Sequence, residues 1–108
     1  MEIDKKYNGW TNWQTWNCNL HFDGSFQSEA QELYNEAKAD STFTREDNAT
    51  IALADIIKDV ATDYAYEAKG SDTGLLGDIV GGYLSEVNWY EIAKAYIESV
   101  DKEESEAA

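Results

Sequence analysis

Three tryptophans fall within seven residues, in the run Gly9-Trp10-Thr11-Asn12-Trp13-Gln14-Thr15-Trp16-Asn17-Cys18-Asn19-Leu20. Thr11 followed three residues later by Gln14 reads as a capping box, which predicts a helix beginning at Asn12. Trp13, Trp16 and Leu20 then recur at i, i+3 and i+7 on one helical face. Trp10, just before the cap, is placed to staple back onto the first turn. An indole buries a large area. The expected core is therefore Trp10, Trp13, Trp16 and Leu20, with Trp89 reaching the cluster from the far end of the chain. A surface aromatic platform is the other use of such a cluster.

The remaining sequence divides into further helical segments. The first helix should run from Asn12 to about Phe22, with Asp23-Gly24 ending it. Ser28 and Gln31 form a second capping box, for a helix reaching about Asp40 with Ala30, Leu33, Tyr34 and Ala37 inward. Phe43 is a possible staple in the linker that follows. Thr44 caps a long third helix from Arg45 to about Lys69, with Asp47 at N3 and the stripe Ile51, Leu53, Ala54, Ile57, Val60, Ala61 and Tyr64. Gly70 and Ser71 break it. Between Thr73 and Val87, Leu75, Leu76, Ile79, Val80, Tyr83 and Leu84 keep helical spacing. Gly74, Gly77, Gly81 and Gly82 each cost about 1 kcal/mol in a helix, so a strand or hinge is the alternative there. Gly77 and Gly81 would line one face and admit a neighbouring helix. Asn88 caps the last helix, with Glu91 at N3, a Val87–Ile92 staple, and Ile92, Ala93, Tyr96, Ile97 and Val100 inward. The predicted architecture is all-α: one compact domain of about five helices over residues 1–100. Residues 1–8 form an extended lead-in in which Ile3 and Tyr7 can dock, and residues 101–108 form an acidic frayed tail.

Charge bounds the function. The chain has 22 acids against eight bases, a net charge of −14 over 108 residues. So large a charge repels itself and costs stability. It fits a solubility device, adaptation to salt, or a surface made for a basic partner. The bases are scattered, which excludes direct nucleic-acid binding through a phosphate-contacting patch. The N-terminus lacks an apolar core of signal-peptide length and no run is long enough to span a membrane, so a cytoplasmic protein is expected.

Asp55, Asp59, Asp63 and Glu67 recur every four residues along the third helix. Like charges at this spacing destabilise a helix by a few tenths of a kcal/mol per pair, and only Lys58 relieves them. Four residues advance about 6 Å along the axis and drift about 40° around it, so the row curves as a nucleic-acid backbone does. Glu29, Glu32, Glu36 and Asp40 form a second row on the second helix. Two such rows on one side would imitate a duplex surface. An acidic solvated face is the alternative.

Little supports catalysis. There is no nucleophile elbow, phosphate loop or HExxH, and with 22 acids chance carboxylate pairs are unavoidable. Cys18 and His21 are three apart, but a zinc site needs four ligands and no second Cys or His exists. Neither an enzyme nor a metal or other cofactor is expected, and the single cysteine excludes an internal disulfide.

Tyr7-Asn8-Gly9-Trp10-Thr11-Asn12-Trp13-Gln14-Thr15-Trp16 resembles the opening signature, Tyr-Asn-Gly-Trp-Thr-Asn-aromatic-x-Thr-Trp, of a family of small proteins carried by phages and mobile elements. Asn88-Trp89-Tyr90-Glu91-Ile92-Ala93 is similar to that family's second recurring block. The resemblance implies a mobile-element origin, and small acidic proteins of such origin include anti-restriction and anti-CRISPR inhibitors. The expected function is therefore a DNA-mimic inhibitor seated in the nucleic-acid-binding cleft of a basic host defence protein. The alternative is an interaction module of the same origin acting through an apolar or aromatic patch. Trp10, Trp89 and Tyr90 are its candidates, and a homodimer closed through Gly77 and Gly81 is one version.

Overall fold

A computed structural model describes residues 9–71 and 74–102. Their regular structure is five helices and no strand: α1 Trp13–His21, α2 Gln27–Glu36, α3 Arg45–Lys69, α4 Leu75–Glu86 and α5 Trp89–Glu98. The all-α single domain predicted from periodicity is the one observed. The lead-in, with Ile3 and Tyr7, and the tail beyond Lys102 lie outside the described residues.

The long helix α3 is the spine. At its start the Thr44 hydroxyl accepts the Asp47 N–H at 3.1 Å, while the Asp47 carboxylate accepts the Thr44 N–H at 3.3 Å. Thr44 is the cap the sequence predicts, and with Asp47 at N3 it closes a reciprocal capping box that satisfies two otherwise orphaned donors. The helix ends at Gly70, whose φ of 66° disfavours a side chain. Ala49, Leu53, Ile57 and Ala61 form a buried row at four-residue spacing, with Thr50 beside it. Against α3 lies α5, which buries Ile92, Ala93, Tyr96 and Ile97. Helix α2 forms a hairpin with α3 and buries Ala30 and Tyr34. The hairpin is clasped by Arg45, which lies over the Tyr34 ring at 4.3 Å and donates to the carbonyls of Tyr34 and Asn35. A residue of α3's first turn thus satisfies the carbonyls left free at the end of α2.

The tryptophans are not the buried centre. Trp13 and Leu20 are exposed, and Trp10, Trp16 and Trp89 are half-buried. The inward face of α1 is instead Thr15 and Cys18, continued by Phe22. These also stand at i, i+3 and i+7, roughly opposite Trp13 and Leu20 on a helix turning 100° per residue. Small side chains face inward because α1 approaches the start of α5 closely enough for the Thr15 hydroxyl to accept the Asn88 N–H at 2.8 Å. The cap of α1 is Asn12, not Thr11: its side chain accepts from the Thr15 N–H.

Helix α2 departs from expectation at both ends. It begins at Gln27, and its N-cap position is Phe26, without a side-chain cap. Burial fixes this start in place of Ser28. Phe26 packs against Phe22 and edge-on against Tyr96, with ring centroids 5.9 and 6.0 Å away. The Tyr96 hydroxyl also donates to the Phe22 carbonyl at 2.7 Å. The helix stops at Glu36, so Asp40 is not on it. Asp40 builds the turn to α3 by accepting the N–H groups of Thr42 and Phe43 at 2.8 and 2.7 Å, and Phe43 stays exposed. On α3, Ile51, Val60 and Tyr64 are likewise exposed rather than part of the buried stripe.

The glycine-containing segment is helical, as α4, but none of its residues is buried. A Cβ at Gly81 would meet nothing within 4 Å, so the close helix approach expected there is absent. Gly81 instead lines a cleft with Lys58, Thr62 and Tyr66 of α3. At the other end, the first tail residues are docked rather than frayed. Asp101 and Gln31 exchange two hydrogen bonds, and the Lys102 ammonium lies 3.8 Å from the Glu46 carboxylate.

This core assignment predicts a contrast. Ile57→Ala should cost about 2–5 kcal/mol of unfolding free energy in urea titrations. Trp13→Ala should cost only about 1 kcal/mol, chiefly its edge-on contact with Tyr83.

Candidate functional site

The acidic row of α3 lies away from the core. Asp55 is two residues beyond buried Leu53, which turns it about 200° around the axis. Asp59, Asp63 and Glu67 follow at steps of about 40°, so the row winds roughly a third of a turn along the outer flank. All four side chains are exposed, and no ion pair among the described residues reaches them. Lys58, the expected relief, lines the cleft between α3 and α4. On α2, Glu29, Glu32 and Glu36 are exposed. Asp40 belongs to the turn. The N–H of Phe43, then that of Thr42, hold its carboxyl below the usual range, so it stays charged while serving the backbone.

The Cys18 and His21 side chains differ in exposure. Cys18 is buried, His21 is exposed, and no group of three or more potential ligands occurs among the described residues. Both help line an apolar cavity of about 200 Å³ with Phe22, Tyr64, Tyr83 and Leu84. Burial pushes the Cys18 thiol up to about 11. Burial, followed by the proximity of Cys18, pushes the Tyr83 phenol up to about 12.

The two sequence blocks at opposite ends of the chain meet where three helices terminate. The Asn12 carboxamide oxygen caps α1, while its Nδ2 donates to the Glu86 carbonyl at the end of α4, at 2.8 Å. Asn88 caps α5 by accepting the Glu91 N–H at 3.0 Å. In an ordinary capping box the N3 carboxylate would accept the N-cap N–H. Here the Asn88 N–H goes to Thr15, and the Glu91 carboxylate accepts the Thr11 N–H at 3.1 Å. Each helix start completes the other. Beside this lock lies an open polar cleft of about 560 Å³, lined by Trp10, Tyr90, Glu91, Lys94 and Glu98 among others.

One feature escapes a sequence reading. Trp13 and Leu20 of α1 and Leu75, Leu76 and Ile79 of α4 are large, apolar and exposed. The periodicity of residues 73–87 shows an apolar helix but not that these side chains of α4 stay exposed.

Two measurements check this geometry. Thr15→Val keeps the shape but strips the Asn88 N–H of its acceptor, and should cost about 1–3 kcal/mol, with Thr15→Ser far milder. For pH, the folded state favours the neutral forms of Cys18 and Tyr83, whose ordinary values are 9.0 and 10.0. Their contribution is therefore intact below about pH 9 and lost as pH rises through 11 and 12. Urea midpoints should fall across that window, and thiol reagents at pH 8 should label Cys18 only as the protein unfolds.

No curated protein and no solved structure shows significant similarity to the chain. Residues 3–105 match a family described as a family of unknown function (DUF7249). That match spans both capping blocks and all five helices, and the chain belongs to this family.

Proposed function

We propose that the protein is an acidic binding protein of mobile-element origin. It imitates the phosphate surface of a duplex and occupies the nucleic-acid-binding cleft of a basic host defence protein, a restriction or CRISPR effector in the host cytoplasm. One observation carries this reading: Asp55, Asp59, Asp63 and Glu67 are exposed, wound along one helix and without an ion pair among the described residues. Successive carboxylates on such a row stand about 6 Å apart along the axis, on the scale of phosphates that rise about 3.4 Å per nucleotide on a winding strand. Glu29, Glu32 and Glu36 enlarge the field. Long-range attraction then speeds encounter with a basic cleft and weakens as salt screens it. No catalytic role and no cofactor is invoked, and no described helix is long and apolar enough to cross a membrane.

A second reading, an interaction module working through apolar contact, is favoured by a different observation. The residues first suggested for it do not form the exposed patch, since Trp10 and Trp89 are half-buried against the core and only Tyr90 is exposed. Large apolar side chains reach solvent on both α1 and α4, which pack against each other.

Charge reversal separates the two readings. The double variant Asp59→Lys/Asp63→Lys should keep the parent's far-ultraviolet circular dichroism. Its inhibition of duplex binding by susceptible purified effectors should drop at least about tenfold, and the parent's inhibition should decline steeply with salt. If the double variant inhibits as well as the parent, the imitation of DNA is wrong.

A further inference from the structure

We propose that the apolar face shared by α1 and α4 seats a basic amphipathic helix of the partner protein. This rests on the reading above that the partner is basic, and adds the second surface by which it is held. On α4, Leu75 is 77% exposed, Ile79 55% and Leu76 41%; on α1, Leu20 is 55% exposed and Trp13 43%. The two helices that carry them pack against each other. The Trp13 ring meets Tyr83 edge-on at 5.9 Å, and the Tyr83 hydroxyl donates to the Asn17 side-chain oxygen at 2.6 Å. Tyr83, Ile79 and Leu76 then follow one another along one face of α4 at four- and three-residue steps. Asn12 meets Glu86 and Asn17 meets Tyr83, so the two helices run antiparallel. Leu20 therefore lies toward the end of the strip that holds Ile79 and Leu76. The apolar surface extends over two helices, which is how a groove for a third helix is built.

Charge selects the occupant. Neither α1 nor α4 contains a lysine or arginine, and all eight bases lie elsewhere in the chain. The charged residues within α4 and just after α1 are Asp78, Glu86 and Asp23, all exposed, while Lys58 of α3 lines the cleft beside Gly81, Leu84 and Ser85 of α4. A second copy would bring a further −14 against this face, and an anionic lipid surface would be repelled in the same way. A helix with leucine-like residues along one side and lysine or arginine along the other meets both features at once. Its apolar anchors at i, i+3 or i+4 and i+7 match the strip, and its cations are attracted by a body with a net charge of −14.

The experiment uses the full chain and a synthetic peptide probe of about fourteen residues, roughly four turns. It is composed of leucine and lysine in amphipathic order, beside an isomer of the same composition in shuffled order. By titration calorimetry the amphipathic peptide should bind the parent at least about tenfold more tightly than its isomer. Leu76→Ser/Ile79→Ser alters only solvent-facing side chains and should keep the parent's helicity, while erasing that preference. Asp59→Lys/Asp63→Lys should weaken both peptides together and keep the preference. The inference is overturned if the parent binds the two peptides alike, or if Leu76→Ser/Ile79→Ser binds the amphipathic one as tightly as the parent. It is also overturned if the parent sediments as a dimer that the serine variant dissociates, or pellets with zwitterionic vesicles in a way that variant abolishes. Failure here leaves the effector assay with the α3 variants untouched, and failure of that assay leaves peptide selectivity to stand or fall by itself.

Discussion

Every helix start leaves four N–H groups without intrahelical partners, and here two starts, more than seventy residues apart, satisfy each other. Thr15 accepts the Asn88 N–H, and Glu91 accepts the Thr11 N–H. Asn12 adds the end of α4 to the same knot. These bonds fix where α1 lies on α5 and therefore which side of α1 points inward. They also bring the Phe22–Phe26 turn under Tyr96, which sets the start of α2. The polar residues of the two sequence blocks thus have a structural reason for their spacing: each supplies what the other helix lacks.

That exchange marks the limit of what the chain discloses in one dimension. The start and end of α3 and the cap of α5 are readable because their donors and acceptors are three residues apart. The inward face of α1 is not. Trp13, Trp16 and Leu20 have helical spacing, but so do Thr15, Cys18 and Phe22, and only the approach of α5 decides between them. Indole size points to the wrong side, because a close approach at hydrogen-bonding distance requires small residues. The acidic rows follow the same division. Asp55, Asp59, Asp63 and Glu67 are exposed because their offset from Leu53, Ile57 and Ala61 is fixed within one helix. Asp40 leaves its row because its carboxylate serves two N–H groups of the turn, competing with continued helix.

Among the described residues little of the charge is answered by ion pairs. Lys102 pairs with Glu46 at the surface, Arg45 is committed to carbonyls of α2, and Lys58 faces a cleft. An exposed pair such as Lys102–Glu46 contributes little. Stability therefore comes from the α3–α5 core and from satisfied helix ends, which together offset the repulsion among the acids. Repulsion that is not relieved internally is relieved by a cation from outside, either diffuse salt or a basic surface.

The uncovered apolar strip on α1 and α4 follows from this electrostatic state. An apolar surface of that kind on a neutral domain invites self-association. On a body with a net charge of −14, two like strips meet only against repulsion acting over a Debye length, about 8 Å at physiological salt. The acids thus permit the strip to remain open in solution. In the proposed docking, the same acids that oppose a second copy attract a cationic helix, so one property would both keep the surface free and select what fills it.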